Sequence, residues 1–497
     1  MKDGERPLRD AEDPLRSVRI GKRDSLKALG IEPYPYSFER SHEAGQIERR
    51  YAGLAAGAET EDRVRVAGRI RAMRNSGMFI DLHDTSGKIQ IFCHRDLLGS
   101  EALGVVRLLD IGDVIGVEGL VRRTPRGELT VNASGVTVLA KALRPFPEKY
   151  HGLADVELRY RRRYLDLIMN PQSRDTLLRR SRVIAAMRSH LSEHGYVEVE
   201  TPMLHTIPGG ASAKPFVTHH NALDIDLYLR IAPELHLKRL LVGGVADKLF
   251  EINRCFRNEG LSPRHNPEFT TLELYEAYVD YTAMMKLTEE LVITVAETVL
   301  GTLRIGYGGT AIDLSVPWPR RSMAELVHTV TGIDFLALES ADAARAAAAR
   351  AGAALNGGEN WGQALEAAFA ARVEDTLIQP IHVTGFPRDI SPLAKADRND
   401  PRLVERFETY IYGWEIANAF SELNDPQDQQ ERFEAQMQAR AAGDEEAQPL
   451  DEDYVTALEY GLPPCGGLGI GIDRLVMLLT DSPSIRDVIA FPTLRPR

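Results

Sequence analysis

The sequence predicts an α+β chain: a small five-stranded β-barrel near the N-terminus, then a larger domain of strands and helices. Three observations carry that reading. At 497 residues the chain is too long for one hydrophobic core. Between about 61 and 140, five short alternating runs (RVRVAGRI, GMFIDLHD, KIQIFCH, DVIGVEGLV, ELTVNASGVTVL) are separated by turns such as Thr85-Ser86-Gly87 and Pro125-Arg126-Gly127. Five strands at that spacing suggest a small antiparallel barrel, commonly an OB-fold. Beyond 173, a long helical period gives way to long strand pairs.

In chain order, residues 1–60 read as a helical extension. Its basic helix at 15–30 is stopped by Gly30 and followed by Pro33 and Pro35. The barrel occupies 61–145. Residues 146–172 form a basic, proline-punctuated linker, and 173–497 form the second domain. That domain opens on a helix at 173–194, where Leu177, Ile184, Met187 and Leu191 recur near a 3.6-residue period before Gly195. YVEVETPML follows as a strand ended by proline, and IPGGASAKPF as a glycine-containing loop. The alanine-rich stretch within 318–378 reads as a helical insertion on the surface, without chemistry of its own.

Composition sets limits on function. A hydrophobic fraction of 43% and a charged fraction of 27% are those of a soluble globular protein. The formal charge of -12 does not suggest a polyanion partner, but it is unevenly spread. Residues 1–150 carry 25 Lys+Arg against 22 Asp+Glu, whereas 151–497 carry 35 against 50, so the barrel region is the better place for nucleic acid. Cys93, Cys255 and Cys465 are widely spaced, in no CxxC pattern, and read as packing residues of a reducing compartment. Neither a signal peptide nor a run of roughly 20 apolar residues is present, so a cytoplasmic location without membrane contact is expected.

The chemistry concentrates in three segments. Residues 249–275 (LFEINRCFRNEGLSPRHNPEFTTLELY) read as a long hairpin whose tip holds Arg257, Glu259, Arg264 and His265. Side chains alternate along a strand, so Phe269, Thr271, Glu273 and Tyr275 share one face and Leu272 and Leu274 the other. The partner strand puts Glu251, Asn253, Cys255 and Arg257 on one face against Ile252 and Phe256. A face of this kind is usually solvated.

A second segment, 406–422 (RFETYIYGWEIANAFSE), changes the weighting. A turn near Tyr412-Gly413 would set Glu408 opposite Glu415, and two like charges across a strand pair call for a cation between them. Mg²⁺ suits two carboxylates plus substrate phosphates. Asn418, Phe420 and Glu422 alternate onto a common face, making a polar pocket with an apolar wall. In the third segment, 466–480 (GGLGIGIDRLVMLLT), a glycine-rich strand opens into a helix with Arg474 in its first turn, an anion-binding arrangement that is not a P-loop.

Together these segments resemble the class II aminoacyl-tRNA synthetases, and among them the lysine-specific enzymes. GYVEVETPML, FRNEGLSPRHNPEFTTLELY and GLGIGIDRLVML resemble the three class motifs. IPGGASAKPF, RIAPELHLKRL, FSELNDPQDQ and GLPPCGGLGIGIDR resemble lysine-type rather than aspartate- or asparagine-type members. The resemblance runs from about residue 15 to the end. It implies an antiparallel six-stranded catalytic sheet flanked by helices, a homodimer joined through the first motif, and an anticodon-reading OB-fold. The implied activity is ligation of lysine to tRNA(Lys): L-lysine and ATP give lysyl-adenylate, then lysine passes to the 3′ end of the tRNA.

Residue by residue, the resemblance makes Arg257 the clamp on the lysine carboxylate and the α-phosphate, and Arg474 the holder of the γ-phosphate. Glu259, His265 and Asn266 would contact ATP, and Phe269 would stack on adenine with Arg474 across the ring. Glu408 and Glu415 would be the magnesium ligands. Gly210 and Glu234 would take the α-amino group, Asn418 the carboxylate end, and Glu273, Tyr275 and Glu422 the ε-ammonium, with Phe420 along the aliphatic stem. A buried ammonium needs such acceptors. In the barrel, Phe79 and Gln90 match positions that stack on and hydrogen-bond to the central anticodon uridine, and Arg65, Arg69, Arg71 and Arg74 could track phosphates.

The sequence departs from the lysine-type pattern in four places. The turn before Phe79 is about two residues shorter, VGGVADKLFEI carries about one extra residue, His236 replaces a common tyrosine, and Cys465 a small residue or threonine. The alternatives are a lysine ligase paralogue that modifies a protein or lipid, and a catalytically inactive tRNA-binding paralogue. The barrel, the absence of membrane spans and the intact Arg257, Glu408, Glu415 and Arg474 weigh against them.

Overall fold

Two units divide the chain, Met1–Ala154 and Asp155–Arg497. The computed structural model describes residues 14–147, 153, 155–441 and 449–496. Parts of the expected N-terminal extension (1–13) and of the expected linker (148–152 and 154) lie outside the described residues.

In the first unit, α1 (Pro14–Ala28) and α2 (Ala44–Arg50) precede β1 (Glu59–Arg74), β2 (Phe79–His83) and β3 (Lys88–Phe92). Then come α3 (Arg95–Leu108), β4 (Val114–Arg123) and β5 (Leu129–Ala140). The five strands close a barrel in the order β1-β2-β3-β5-β4. Its β3–β5 pairing is parallel, so the barrel is antiparallel only in its other pairs. Val64, Val66, Ile80, Leu82, Ile89 and Ile91 fill it, the inward set of each period-2 run. Helix α3 was not expected, because a break at Gly99 (φ 74°) interrupts its period.

The second unit begins with α4 (Val156–Arg161), α5 (Arg163–Met169), α6 (Pro171–Glu193) and β6 (Val197–Glu198). The expected linker therefore contains structure: buried Arg163 pairs with Asp166 at 2.8 Å and donates to Ala490 O at 2.9 Å, which docks 156–169 onto this unit. The chain continues through β7 (Leu204–His205), β8 (Val217–His220), β9 (Ile225–Leu229), α7 (Glu234–Val242), β10 (Lys248–Phe256), β11 (Glu268–Ala277) and α8 (Tyr281–Leu300). Next are β12 (Arg304–Tyr307), β13 (Thr310–Asp313), β14 (Arg320–Ser322), α9 (Met323–Thr331), α10 (Ala341–Ala351), α11 (Trp361–Arg372) and β15 (Ile381–Pro387). Last are β16 (Leu403–Ile411), β17 (Trp414–Ser421), α12 (Pro426–Ala441), α13 (Glu452–Glu459), β18 (Cys465–Gly471) and α14 (Ile472–Leu479).

An eight-stranded sheet runs β14-β15-β16-β17-β18-β11-β10-β6. Its six inner strands are antiparallel, as expected, and short parallel strands β14 and β6 extend the edges. On one face, Val183, Met187 and Leu191 of α6 and Leu291, Val292 and Val295 of α8 share a core with Leu272, Leu274 and Ile470 of the strands. That leaves the opposite face free for chemistry. Helices α10 and α11, through Ala344, Ala347, Ala348 and Ala364, and α9, through Leu326 and Val327, share a core with Phe386 and Tyr410 of the sheet. Small side chains let α10 and α11 approach closely. Among the described residues, no helix is long and apolar enough to cross a membrane.

Candidate active site

The β10–β11 register pairs Glu251 with Glu273, Asn253 with Thr271 and Cys255 with Phe269, the faces expected from alternation. Leu272 and Leu274 are fully buried behind them. On the open face lies a cleft of about 700 Å³. Arg257, Glu259, His265, Asn266, Phe269 and Arg474 line it. So do Glu408, Glu415, Asn418, Phe420 and Glu422, and Gly210, Glu234, Glu273 and Tyr275. Three segments far apart in sequence thus contribute to one cavity.

One expected geometry is corrected. Glu408 lies opposite Asn418, and Glu415 opposite Tyr410. Tyr412 and Gly413, both left-handed at φ 58° and 66°, form a two-residue turn one position later than the carboxylate pairing requires. A register shift follows at Thr409/Tyr410. Glu408 and Glu415 are therefore diagonal neighbours. They still interact: burial, then the Glu415 charge, push Glu408 up to about 7.

Arginines hold this end of the cleft. Arg406, not foreseen from the sequence, donates to Glu408 Oε1 (2.5 Å), Asn418 Oδ1 (3.0 Å) and Ser391 Oγ (2.9 Å). Tyr410 donates to Glu408 Oε2 at 2.6 Å. Arg474 donates to the Glu415 carbonyl at 2.8 Å and reaches Glu415 Oε2 at 3.2 Å. His265 Nε2 lies 3.1 Å from Arg474, and Ser262 Oγ 2.8 Å from His265 Nδ1. Partial burial and the Arg474 charge lower the His265 pKa. Arg257 lies over the Phe269 ring, 5.1 Å from its centroid, and its Nε has no hydrogen-bond partner among the described residues. Buried Asn266 donates to Glu268 O, and its Oδ1 has no partner among the described residues.

The chain belongs to the class II tRNA synthetases. A family model described as class II tRNA synthetases (D, K and N) matches residues 155–495, and one for an OB-fold nucleic acid binding domain matches 64–139. The lysine–tRNA ligase of Carboxydothermus hydrogenoformans is 56% identical over 485 residues, covering 97% of this chain and 98% of that protein. The Sinorhizobium medicae lysine–tRNA ligase is 54% identical over 478 residues, 96% of each chain. That of Moorella thermoacetica is 54% identical over 490 residues, 98% of this chain and 99% of the relative.

The other end of this synthetase's cleft is sealed and acidic. Glu234, Glu273 and Glu422 are all buried, as is Tyr275, which donates to Glu273 Oε1 at 2.7 Å. Burial, then the Glu234 charge, push Glu273 up to about 8. Lys238, also absent from the sequence reading, is fully buried between Glu234 (2.6 Å) and Glu422. Its place one helical turn after Glu234 was the signal available. Gly467 has no room for a side chain: a Cβ there would fall 1.9 Å from Glu422 Oε1 and 2.6 Å from Tyr275. Gln363 and Glu366 of α11 also line the cleft, so the alanine-rich insertion does carry groups of the site.

The barrel presents its own surface. Phe79 points outward, 5.0 Å from Phe92, which stacks on His94 at 5.5 Å. Gln90 donates to Thr130 Oγ1 at 2.9 Å and accepts from Arg74 at 2.9 Å. Phe79 is therefore no barrel-core residue. Arg65 and Arg69 are held by Glu39 and the Gly112 carbonyl, and Arg71 lies over Phe146, so Arg74 is the one of the four arginines seated beside Gln90. The shortened turn before Phe79 is closed by Asn75 and Ser76 at φ 49° and 53°.

Proposed function

We propose that this cleft activates L-lysine with ATP and passes lysine to the 3′ end of tRNA(Lys). The observation that carries the reading is the sealed end, where three buried carboxylates lie around one internal ammonium that pairs with only two of them. Glu422 Oε1 has no hydrogen-bond donor among the described residues. A cationic side chain is what such a site lacks.

The substrate's ε-ammonium would sit among Glu273, Tyr275 and Glu422, with Phe420 along its stem. Glu234 and the Gly210 backbone would hold the α-amino group, and Asn418 the carboxylate end. That orientation aims an already ionised carboxylate at the ATP α-phosphorus, so no side-chain base is needed. A carboxylate oxygen forms the new bond to phosphorus while the bond to diphosphate breaks. Arg257 stabilises the charge that develops, and Arg474 holds the γ-phosphate. Phe269, Glu259, His265 and Asn266 would seat the adenine and phosphates. A tRNA ribose hydroxyl then attacks the lysyl carbonyl, and AMP leaves.

Glu408 and Glu415 fit a magnesium ion. Both carboxylates line the cleft, and Glu408 is raised first by burial and then by the Glu415 charge, a pair of hard oxygen donors of the kind magnesium takes. Bound there, the ion would neutralise charge on the triphosphate. Phe79 and Gln90 would receive a splayed anticodon base, where stacking contributes roughly 1–3 kcal/mol. We also infer a cytoplasmic homodimer joined through the segment around β6. Lysine-dependent ATP–pyrophosphate exchange, followed by charging of total tRNA, tests the proposal. Exchange with aspartate but not lysine would overturn it, and exchange without charging would point to another acceptor.

A further inference from the structure

Within the sealed end, the element unexplained by the reaction is Lys238. Its ammonium is fully buried on α7, and elements from all around face it. Glu234 lies one turn back on the same helix at 2.6 Å, and Glu422 follows β17. Tyr275 of β11 and Phe420 of β17 present their rings at 5.8 and 5.4 Å. Glu273 of β11, Tyr454 of α13, Arg406 of β16, Arg230 and Cys465 complete the titratable and charged surroundings. Nothing in the transfer chemistry requires a lysine here, and one so enclosed cannot act on the phosphates.

We propose that Lys238 is a positioning residue that sets the charge of the amino-acid pocket, keeping Glu234 and Glu422 ionised in the empty enzyme so that the pocket matches a substrate bearing two ammonium groups. The inference rests on the lysine reading above. Three ionised carboxylates against one internal ammonium leave two negative charges, and lysine brings two ammonium groups while its carboxylate faces Arg257. Without an internal cation, a buried carboxylate takes up a proton instead of remaining charged. Burial opposes the charge on Lys238, but the Glu234 and Glu422 carboxylates overcome it and hold the ammonium protonated. Burial raises all three carboxyls, and the Lys238 charge lowers them. Glu234 and Glu422 are in ion-pair contact with Lys238 whereas Glu273 has no contact as close, so on this proposal the exchangeable proton belongs to Glu273.

The experiment is calorimetric titration of L-lysine into the full-length protein at pH 7, in two buffers of different ionisation enthalpy. The heats count protons released on binding. The unsubstituted protein should release about one proton per lysine, from Glu273. Lys238→Met should release about two or more and bind lysine about tenfold more weakly or worse. Lys238→Arg, which keeps the charge, should return the count to about one. A purely structural Lys238 would weaken both variants and leave the count unchanged. Release of two or more protons by the unsubstituted protein overturns the proposal even if the methionine variant fails to fold. So does an unchanged count in Lys238→Met. If the unsubstituted protein neither binds lysine nor supports exchange, the failure belongs to the substrate reading and not to Lys238.

Discussion

At one end of the cleft, Glu408 and Glu415 lean on Arg406 and Arg474, and Glu415 keeps a side-chain exposure of 40%. At the other, Glu234, Glu273 and Glu422 close around Lys238, with Glu422 and Lys238 side chains at 0%. The sealed end holds three carboxylates against one internal ammonium, whereas Glu408 and Glu415 each have an arginine. The arginine end can borrow charge from solvent and from whatever a nucleotide brings. The sealed end cannot, and under the proposed function its missing charge arrives on the substrate. On that reading the difference separates a site for a polyanion with its counter-ion from a site for one particular amine.

The largest break should come at the arginine end. Arg257→Ala removes the cation assigned to the transferring phosphorus, and loss of one such donor lowers turnover by about 10²–10³. Because Arg257 is also assigned the lysine carboxylate, lysine-dependent exchange should fall by at least that much. Size-exclusion mass should stay unchanged, and near-normal exchange would remove Arg257 from its role. At the sealed end, Glu273→Gln deletes one charged acceptor, and such bonds contribute about 1.5–3 kcal/mol. Lysine KM should rise on the order of tenfold to a hundredfold while ATP KM barely moves. Equal changes in both constants would mean that the two ends are not separate sites.

Gly467→Ala sharpens the comparison by steric means. The nearest neighbours of the added methyl are Glu422 and Tyr275, both of the sealed end. Overpacking in rigid surroundings costs about 1–3 kcal/mol, so lysine affinity should weaken about tenfold, read by titration, with nucleotide affinity preserved. If ATP binding suffers as much, the wall between the ends is not where Gly467 stands.

The sequence made the hairpin faces legible because strand alternation is strict: Glu273 and Tyr275 could be assigned to the polar face from spacing alone. The barrel was legible for the same reason. What spacing could not show was register and third partners. The turn at Tyr412-Gly413 shifts Glu408 off Glu415, and only backbone geometry reveals it. Lys238 sits in an ordinary amphipathic helix, where a lysine usually faces water, and its burial is decided by strands far away in sequence. Glu366 was hidden likewise, because an alanine-rich surface helix gives no hint of which turn overhangs a cleft.

The smallest expected effect, and the one that separates the ends most cleanly, is pH. Burial and Glu234 push Glu273 up to about 8, while burial and Glu415 push Glu408 up to about 7. A carboxyl raised in the folded state holds its proton more tightly there than when unfolded. Its contribution to the stability of the ligand-free protein therefore falls as pH climbs from the ordinary carboxyl range toward the raised value. A bound cation reverses the preference by selecting the ionised form. Lysine affinity should accordingly strengthen up to about tenfold between pH 7 and 8 and then level, since both lysine ammonium groups stay largely protonated there. Binding of the magnesium–nucleotide pair should make the corresponding transition near pH 7. Calorimetric titrations of each ligand from pH 6 to 8.5 would show two offset curves. A single shared transition would mean that the five carboxylates titrate as one cluster, and the division drawn between the ends would be lost.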